Sequence, residues 1–262
     1  MAVVLAGGCR VTQMHDGEPL VEGTLRMWNQ IGRATGAQAI SLRVMEFAPG
    51  LSPRIRNDDC DEILYVLERG HPARMSELGE RRDLTLLLDG IPHDLGTDTG
   101  IYIRPHQTFA IDNRGADSIN IISAQCPDPD RDPQFVDAMD HSPPPDPLPI
   151  VRLADQKTQP TADRWYRVLV DDTVGSTQAT QFVGSIPPGR APDHFHHYEE
   201  VLFILKGEGR MWAGETNTEI GAGSCIYLPK GQVHCIENTG DGELRLLGVF
   251  YPAGSPSVRY EL

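Results

Sequence analysis

A chain of 262 residues, 39% hydrophobic and 23% charged, is long enough for two globular domains of ordinary size. A formal charge of −14 and a pI near 5.0 speak against nucleic acid, which needs clustered Lys and Arg, and against an anionic membrane surface. No apolar run reaches the length of a transmembrane helix. Five scattered cysteines (Cys9, Cys60, Cys126, Cys225, Cys235) lack C-x-x-C pairing and suit reduced thiols, so a cytoplasmic location is expected. The opening M-A-V-V-L-A-G-G-C-R has no basic segment and too short an apolar core to be a lipoprotein signal.

The first twenty residues read as an arm with one short strand, Ala2 to Leu5. After Thr24 the strand-like L-R-M-W-N-Q-I leads through turns at Gly32 and Gly36 into A-I-S-L-R-V-M-E-F and Ala48-Pro49-Gly50. The phrase returns as R-W-Y-R-V-L-V, a turn at Gly175, T-Q-A-T-Q-F-V-G-S-I and Pro187-Pro188-Gly189. Gly36 to Gly175 and Gly50 to Gly189 share an offset of 139 residues, so the chain carries two copies of one unit. E-I-L-Y-V-L from Glu62 matches E-V-L-F-I-L from Glu200, and 101–113 lies on 226–238 without a gap. Between Leu67 and Ile101 the first copy is longer by about a dozen residues, which read as a decorated surface loop rather than a lid.

The stretch 127–149 is too rich in proline for helix or central strand and reads as a semi-rigid strap. Asp128, Asp130 and Asp132 with His141 read there as solvated charges. The expected division is therefore a first domain over 1–126, the linker over 127–149 and a second domain over 150–262.

The second copy holds the chemistry. His194 and His196 are two apart, which sends both to one face of an extended strand. Glu200 heads the apolar run Val201 to Leu205, and His234 follows the turn Pro229-Lys230-Gly231. Three imidazoles and a carboxylate on one concave face suit a borderline divalent cation with open coordination positions: iron, manganese, nickel, zinc, cobalt or copper. Alternation turns His197 and Glu199 away, as hydrogen-bonded or surface residues. It also brings Leu202, Ile204, Gln232 and Ile236 into a mainly apolar pocket that fits an aromatic or enolic compound better than a free sugar. Arg167 reads as a surface partner rather than a carboxylate anchor.

In the first copy Arg54, Arg56 and Phe109 stand where His194, His196 and His234 stand in the second. A guanidinium offers no lone pair, so this half is expected to bind no metal. The two arginines read as partners of Asp58, Asp59, Asp61 or Glu62 rather than as an anion pocket.

These segments resemble the two signature motifs of the cupin superfamily. The first runs Gly189, His194, His196, Glu200, Gly207, with its leading glycine one residue closer than usual, and the second Gly223, Pro229, Gly231, His234, Asn238. The resemblance covers roughly fifty residues and implies an all-β protein of two tandem double-stranded β-helix (jelly-roll) barrels. It implies one metal held by His194, His196, Glu200 and His234 in the second barrel. The expected function is that of a metal-dependent enzyme acting on a small organic molecule, an oxygenase similar to the quercetin dioxygenase-like bicupins. Glu200 would then also accept a substrate proton. A non-redox isomerase, lyase or decarboxylase, or a small-molecule binding or sensing protein, are the alternatives. The expected partner is a small-molecule substrate, with neither nucleic acid nor membrane, and a homodimer is left open.

Overall fold

A computed structural model describes residues 2–67, 83–139, 147–161 and 163–257. Helix among them is confined to 3₁₀ turns of three residues, and the architecture is two β-barrels, each a pair of facing sheets. In the first barrel one sheet runs, edge to edge, Ile150–Arg152, Thr99–Ile103, Asp61–Val66, Ile119–Cys126, Leu42–Phe47, Leu25–Ile31 and Leu20–Glu22. The facing sheet carries Ile91–Asp94, Leu84–Leu88, Thr108–Asn113, Arg54–Arg56 and Gln134–Val136. The second barrel packs Ser224–Leu228, Glu199–Lys206, Leu244–Tyr251, Thr180–Ile186 and Arg164–Val170 against the sheet of Gly189–Arg190, His234–Asn238, Glu208–Ala213 and Thr216–Gly221.

The repeat read from the glycines is visible in the backbone. Gly50 and Gly189 both sit at strongly positive φ, +116° and +123°, where an L side chain is strained. The last glycine of the first motif, Gly207, has φ +88°, and a Cβ there would lie 2.8 Å from the Glu243 carbonyl oxygen. Asn238 and its counterpart Asn113 do one job. Each is buried, donates its amide to two carbonyls (Ile186 and Gly242; Phe47 and Asp117), and accepts a backbone N–H, from Gly240 or Gly115. A surface loop tied at its root by a buried amide whose hydrogen bonds are all made holds one shape.

Hydrogen bonding crosses the division at 126 and 149 in both directions. Arg10–Gln13 pairs with Ser224–Leu228, so the amino-terminal arm extends the second barrel's sheet. Ile150–Arg152 pairs with Thr99–Ile103 and closes the first barrel's sheet. Two matching clamps reinforce the exchange. Glu199 accepts the backbone N–H groups of Gln38 and Ala39, at 2.8 and 2.6 Å, and the Tyr227 hydroxyl. Asp61, its repeat partner, accepts from the Tyr102 hydroxyl at 3.0 Å and the Gln178 amide at 3.5 Å. One apolar core, from Trp28 and Val44 to Phe203 and Val249, runs through both barrels.

Parts of the linker differ from the sequence reading. Asp128 is not a solvated charge: it is buried and its two oxygens accept the backbone N–H groups of Arg33 and Asp130. The strap also contributes the strand Gln134–Val136, paired with Arg54–Arg56. His141 and most of the extra segment between Leu67 and Ile101 lie outside the described residues.

Candidate metal centre

Each ligand candidate is placed by a backbone contact. His194 and His234 form an isolated antiparallel bridge, His194 N–H to His234 O at 3.1 Å and His234 N–H to His194 O at 2.9 Å. The His-x-His pair thus lies beside the four-stranded sheet rather than within a regular strand, because Pro192 just ahead of it cannot donate to a ladder. The turn Pro229-Lys230-Gly231 closes on the same point, as the Gly231 N–H donates to the His196 carbonyl at 2.8 Å. Gly231 takes φ +77°. Glu200 is the second residue of Glu199–Lys206 and pairs with Leu228 and Phe250.

The ligand nitrogens of His194, His196 and His234 lie within 4.8 Å of one another. Glu200 abuts this group, with Oε2 3.4 Å from His196 Nε2. The donor chemistry fits a cation. Nδ1 of His194 faces the Pro192 carbonyl at 3.1 Å, and Nδ1 of His234 faces the Gln232 carbonyl at 2.8 Å. A carbonyl only accepts, so both Nδ1 atoms carry the proton and each neutral ring keeps its lone pair on Nε2. Burial, with the neighbouring His194 second, lowers the His234 pKa from 6.5 to about 4, so that ring is neutral at pH 7. Burial also raises the Glu200 carboxyl from 4.5 to about 8. Converging lone pairs and a desolvated carboxyl are an unfavourable cluster that a divalent cation relieves.

Beside the triad lies a cavity of about 110 Å³. Of the four pocket residues expected from alternation, Leu202 and Ile236 line it. Ile204 is fully buried in the core behind. Gln232 turns its amide to the Val233 carbonyl and packs against Gly7 of the amino-terminal arm. The cavity also exposes residues that sequence reasoning missed. Tyr198 stacks on His196, with ring centroids 4.6 Å apart, and on Phe250 at 4.4 Å. No regular strand spans 196–198, so alternation gave no signal for Tyr198. Arg164, its side chain 11% exposed, enters the wall from the start of Arg164–Val170. Arg167 bonds outward, to Thr158 and the Leu153 carbonyl.

The first barrel has no such cluster among the described residues. Phe109 is fully buried. Arg56 pairs with Asp58 at 2.6 Å, and Arg54 donates to the Asp137 carbonyl at 2.7 Å. Asp58 is further held in its charged form by hydrogen bonds from Arg56 and then His106. Glu62, where Glu200 stands in the other repeat, is buried between the Ser123 hydroxyl and the Asn57 amide.

Comparison with known proteins agrees with this architecture. A family model described as a cupin domain matches residues 182–250. An uncharacterized protein of Aquifex aeolicus is 34% identical over 86 residues, which cover 32% of this chain and 69% of that protein. The oxalate-binding protein of Thermotoga maritima is 38% identical over 66 residues, 24% of this chain and 54% of that protein, so the chain spans about half its length. Among solved structures, a variant of Bacillus subtilis oxalate decarboxylase superposes with a TM-score of 0.73 at 13% identity, over 93% of this chain and 77% of that one. Another structure of that enzyme, described for its Mn(II) centres, gives 0.72 at 14% identity, over 94% and 78%. At such identity the likeness is one of fold.

Proposed function

This chain belongs to the cupin superfamily as a two-barrel member, and we propose that it is a metal-dependent enzyme, an oxygenase acting on a small, largely apolar organic molecule. The observation that carries the reading is the convergence of three imidazoles, their ligand nitrogens within 4.8 Å of one another, with the buried Glu200 carboxyl 3.4 Å from one of them. A carboxylate is also the one member of this donor set suited to take a proton from a substrate and give it back. His194, His196, Glu200 and His234 are the proposed ligands of a single ion per chain, which is iron, manganese, nickel, cobalt, zinc or copper. Such an ion supplies Lewis acidity at bound oxygen atoms and, when redox-active, one-electron chemistry with dioxygen.

The chain's own residues supply the rest. Glu200 takes the proton of an enol or phenol as it binds and returns it to the product. Tyr198, Phe182, Leu202 and Ile236 form an apolar wall, with Phe250 stacked on Tyr198, that keeps water from the reacting atoms. Arg164 and Tyr166, which also line the cavity, orient the polar end of the substrate. Five free, buried cysteines suit the reducing, cytoplasmic setting that belongs to this reading.

A second reading, non-redox decarboxylation or lyase chemistry, draws on the same Glu200 carboxyl and on Arg164, which lines the cavity while its Nε pairs with Asp163 at 3.4 Å. The two separate in one experiment. Protein loaded in turn with iron, manganese or nickel is offered a panel of aromatic enols and keto acids while dioxygen and carbon dioxide are followed. Dioxygen uptake matched to substrate loss supports the oxygenase; carbon dioxide released without it supports the second reading. Substrates that bind without turnover in every metal form overturn both and leave a binding protein. With a substrate in hand, Glu200→Gln should keep much of the metal and lose roughly a hundred-fold or more in turnover.

A further inference from the structure

The loop that carries His234 is covered by the far end of the chain. The amino-terminal arm is a hairpin in which Val3–Val4 pairs with Arg10–Gln13 and Ala6–Gly8 form the turn between them. That turn rests on the second barrel. Leu5 is buried in the second barrel's core with Leu202 and Ile236, and the Ala6 N–H donates to the Thr216 hydroxyl oxygen at 2.8 Å. Gly7, at φ +65°, meets Gln232 closely. A Cβ on Gly7 would lie 1.5 Å from the Gln232 amide oxygen, 2.4 Å from its Cδ and 3.2 Å from its Cγ.

The repeat shows what this contact replaces. Phe109 pairs with Leu88 as His234 pairs with Ala213, so Gln107 corresponds to Gln232 and Asp89 to Gly214. The backbone agrees: Asp89 N–H donates to the Thr108 carbonyl and Gly214 N–H to the Val233 carbonyl, with φ +48° and +56°. In the first barrel the Gln107 amide donates to the Asp89 carboxylate at 2.9 Å, and its oxygen accepts the Arg104 N–H at 3.0 Å. Gly214 has no carboxylate to offer Gln232. The arm stands there instead, with Gly7 against Gln232 and Ala6 beside Gly214.

Gln232 bears on the metal centre through its carbonyl. That oxygen accepts the His234 Nδ1–H at 2.8 Å, the bond that leaves the lone pair on Nε2. The rest of the residue is tied down around it. Its N–H donates to the Pro229 carbonyl at 3.2 Å, and its amide donates to the Val233 carbonyl at 2.8 Å. A side chain wedged between Gly7 and Val233 limits how far residue 232 can swing, and the imidazole is aimed accordingly.

We propose that Gly7 and Gln232 are positioning residues of the metal centre: the arm holds Gln232, and the Gln232 carbonyl fixes the tautomer and direction of His234. This role rests on the metal reading above.

The test is a double-mutant cycle on the full-length protein. It is read by chelator competition for zinc and by NMR of the His234 Nδ1–H in the zinc-loaded form. Gly7→Ala forces Gln232 aside, and with Cγ also in reach, turning the amide alone does not clear the methyl. Gln232→Ala removes the wedged side chain and leaves the carbonyl. Each should weaken zinc binding roughly tenfold and speed exchange of the Nδ1–H with solvent. The double variant should lose no more than either single one, because both act through the same side chain. Gly8→Ala, at φ +86° but with no atom nearer than 3.9 Å to the new Cβ, should match wild type in both readouts. Should Gly7→Ala lose its cooperative melt, Gln232→Ala decides. The positioning role is overturned when wild type binds zinc but Gln232→Ala or a folded Gly7→Ala binds it as tightly with unchanged exchange. It is also overturned when Gly8→Ala is as weak as Gly7→Ala, or when the two single losses add. Wild type that binds no metal overturns the metal reading, and this role with it.

Discussion

Stripped of metal, the protein should become less stable as pH rises through neutrality, and Glu200 should be the cause. Its carboxyl is buried at 5% exposure and its pKa is lifted from 4.5 to about 8 by desolvation. The folded state then keeps a proton that the unfolded chain releases above 4.5. This contribution is full below pH 4.5 and disappears as pH rises through 8, on the order of 5 kcal/mol in all. His234 has the opposite sign. Its pKa falls from 6.5 to about 4, so its contribution is full above 6.5 and is lost as pH drops toward 4. The two slopes oppose each other between 4.5 and 6.5, and from 6.5 to 8 the fall due to Glu200 is no longer offset by His234. Across that window it is worth about 2 kcal/mol, or roughly 4–8 °C in Tm for a chain of this size. Thermal melts by circular dichroism, on chelator-treated protein at pH 6.5, 7.2 and 8, read it directly. Wild type should fall across the series and Glu200→Gln should fall less; any slope that remains belongs to other buried carboxyls such as Glu62. Saturating metal should abolish or reverse the wild-type slope, because cation and proton compete for one carboxylate. Parallel falls in wild type and Glu200→Gln would refute the reasoning.

Two further outcomes are expected. Tyr198→Ala removes the ring stacked on His196 and should weaken metal binding roughly 10–100-fold in a chelator competition, while Tyr198→Phe keeps the stack and the affinity. Glu199→Gln turns an amide NH₂ toward one of two N–H donors from the first barrel and should cost about 2–4 kcal/mol in urea unfolding; an unchanged midpoint would mean the clamp does not hold the barrels together.

The legible part of the fold was what repeats or what requires a particular residue. Gly50 and Gly189 needed positive φ, and Asn113 and Asn238 needed an amide that ties a loop, so both left marks in each copy. The three histidines were legible because lone pairs must converge, and convergence at i, i+2 is a strand property. Interactions between distant segments left no such mark. Nothing local in Arg10–Gln13 says that it will pair with Ser224–Leu228, since any short β-prone segment satisfies an open edge. Glu199 read only as a hydrogen-bonded or surface residue, because alternation from Glu200 turns it out of its own barrel and nothing local names its partners; the second barrel's outside is here the interface.

The central claim is tested most directly by counting metal. Elemental analysis of protein purified without added metal should find one equivalent or less per chain, rising to one on loading with a single divalent ion and falling to near zero in His196→Ala and His234→Ala. Two equivalents in wild type, or one tightly bound ion surviving in both variants, would contradict it.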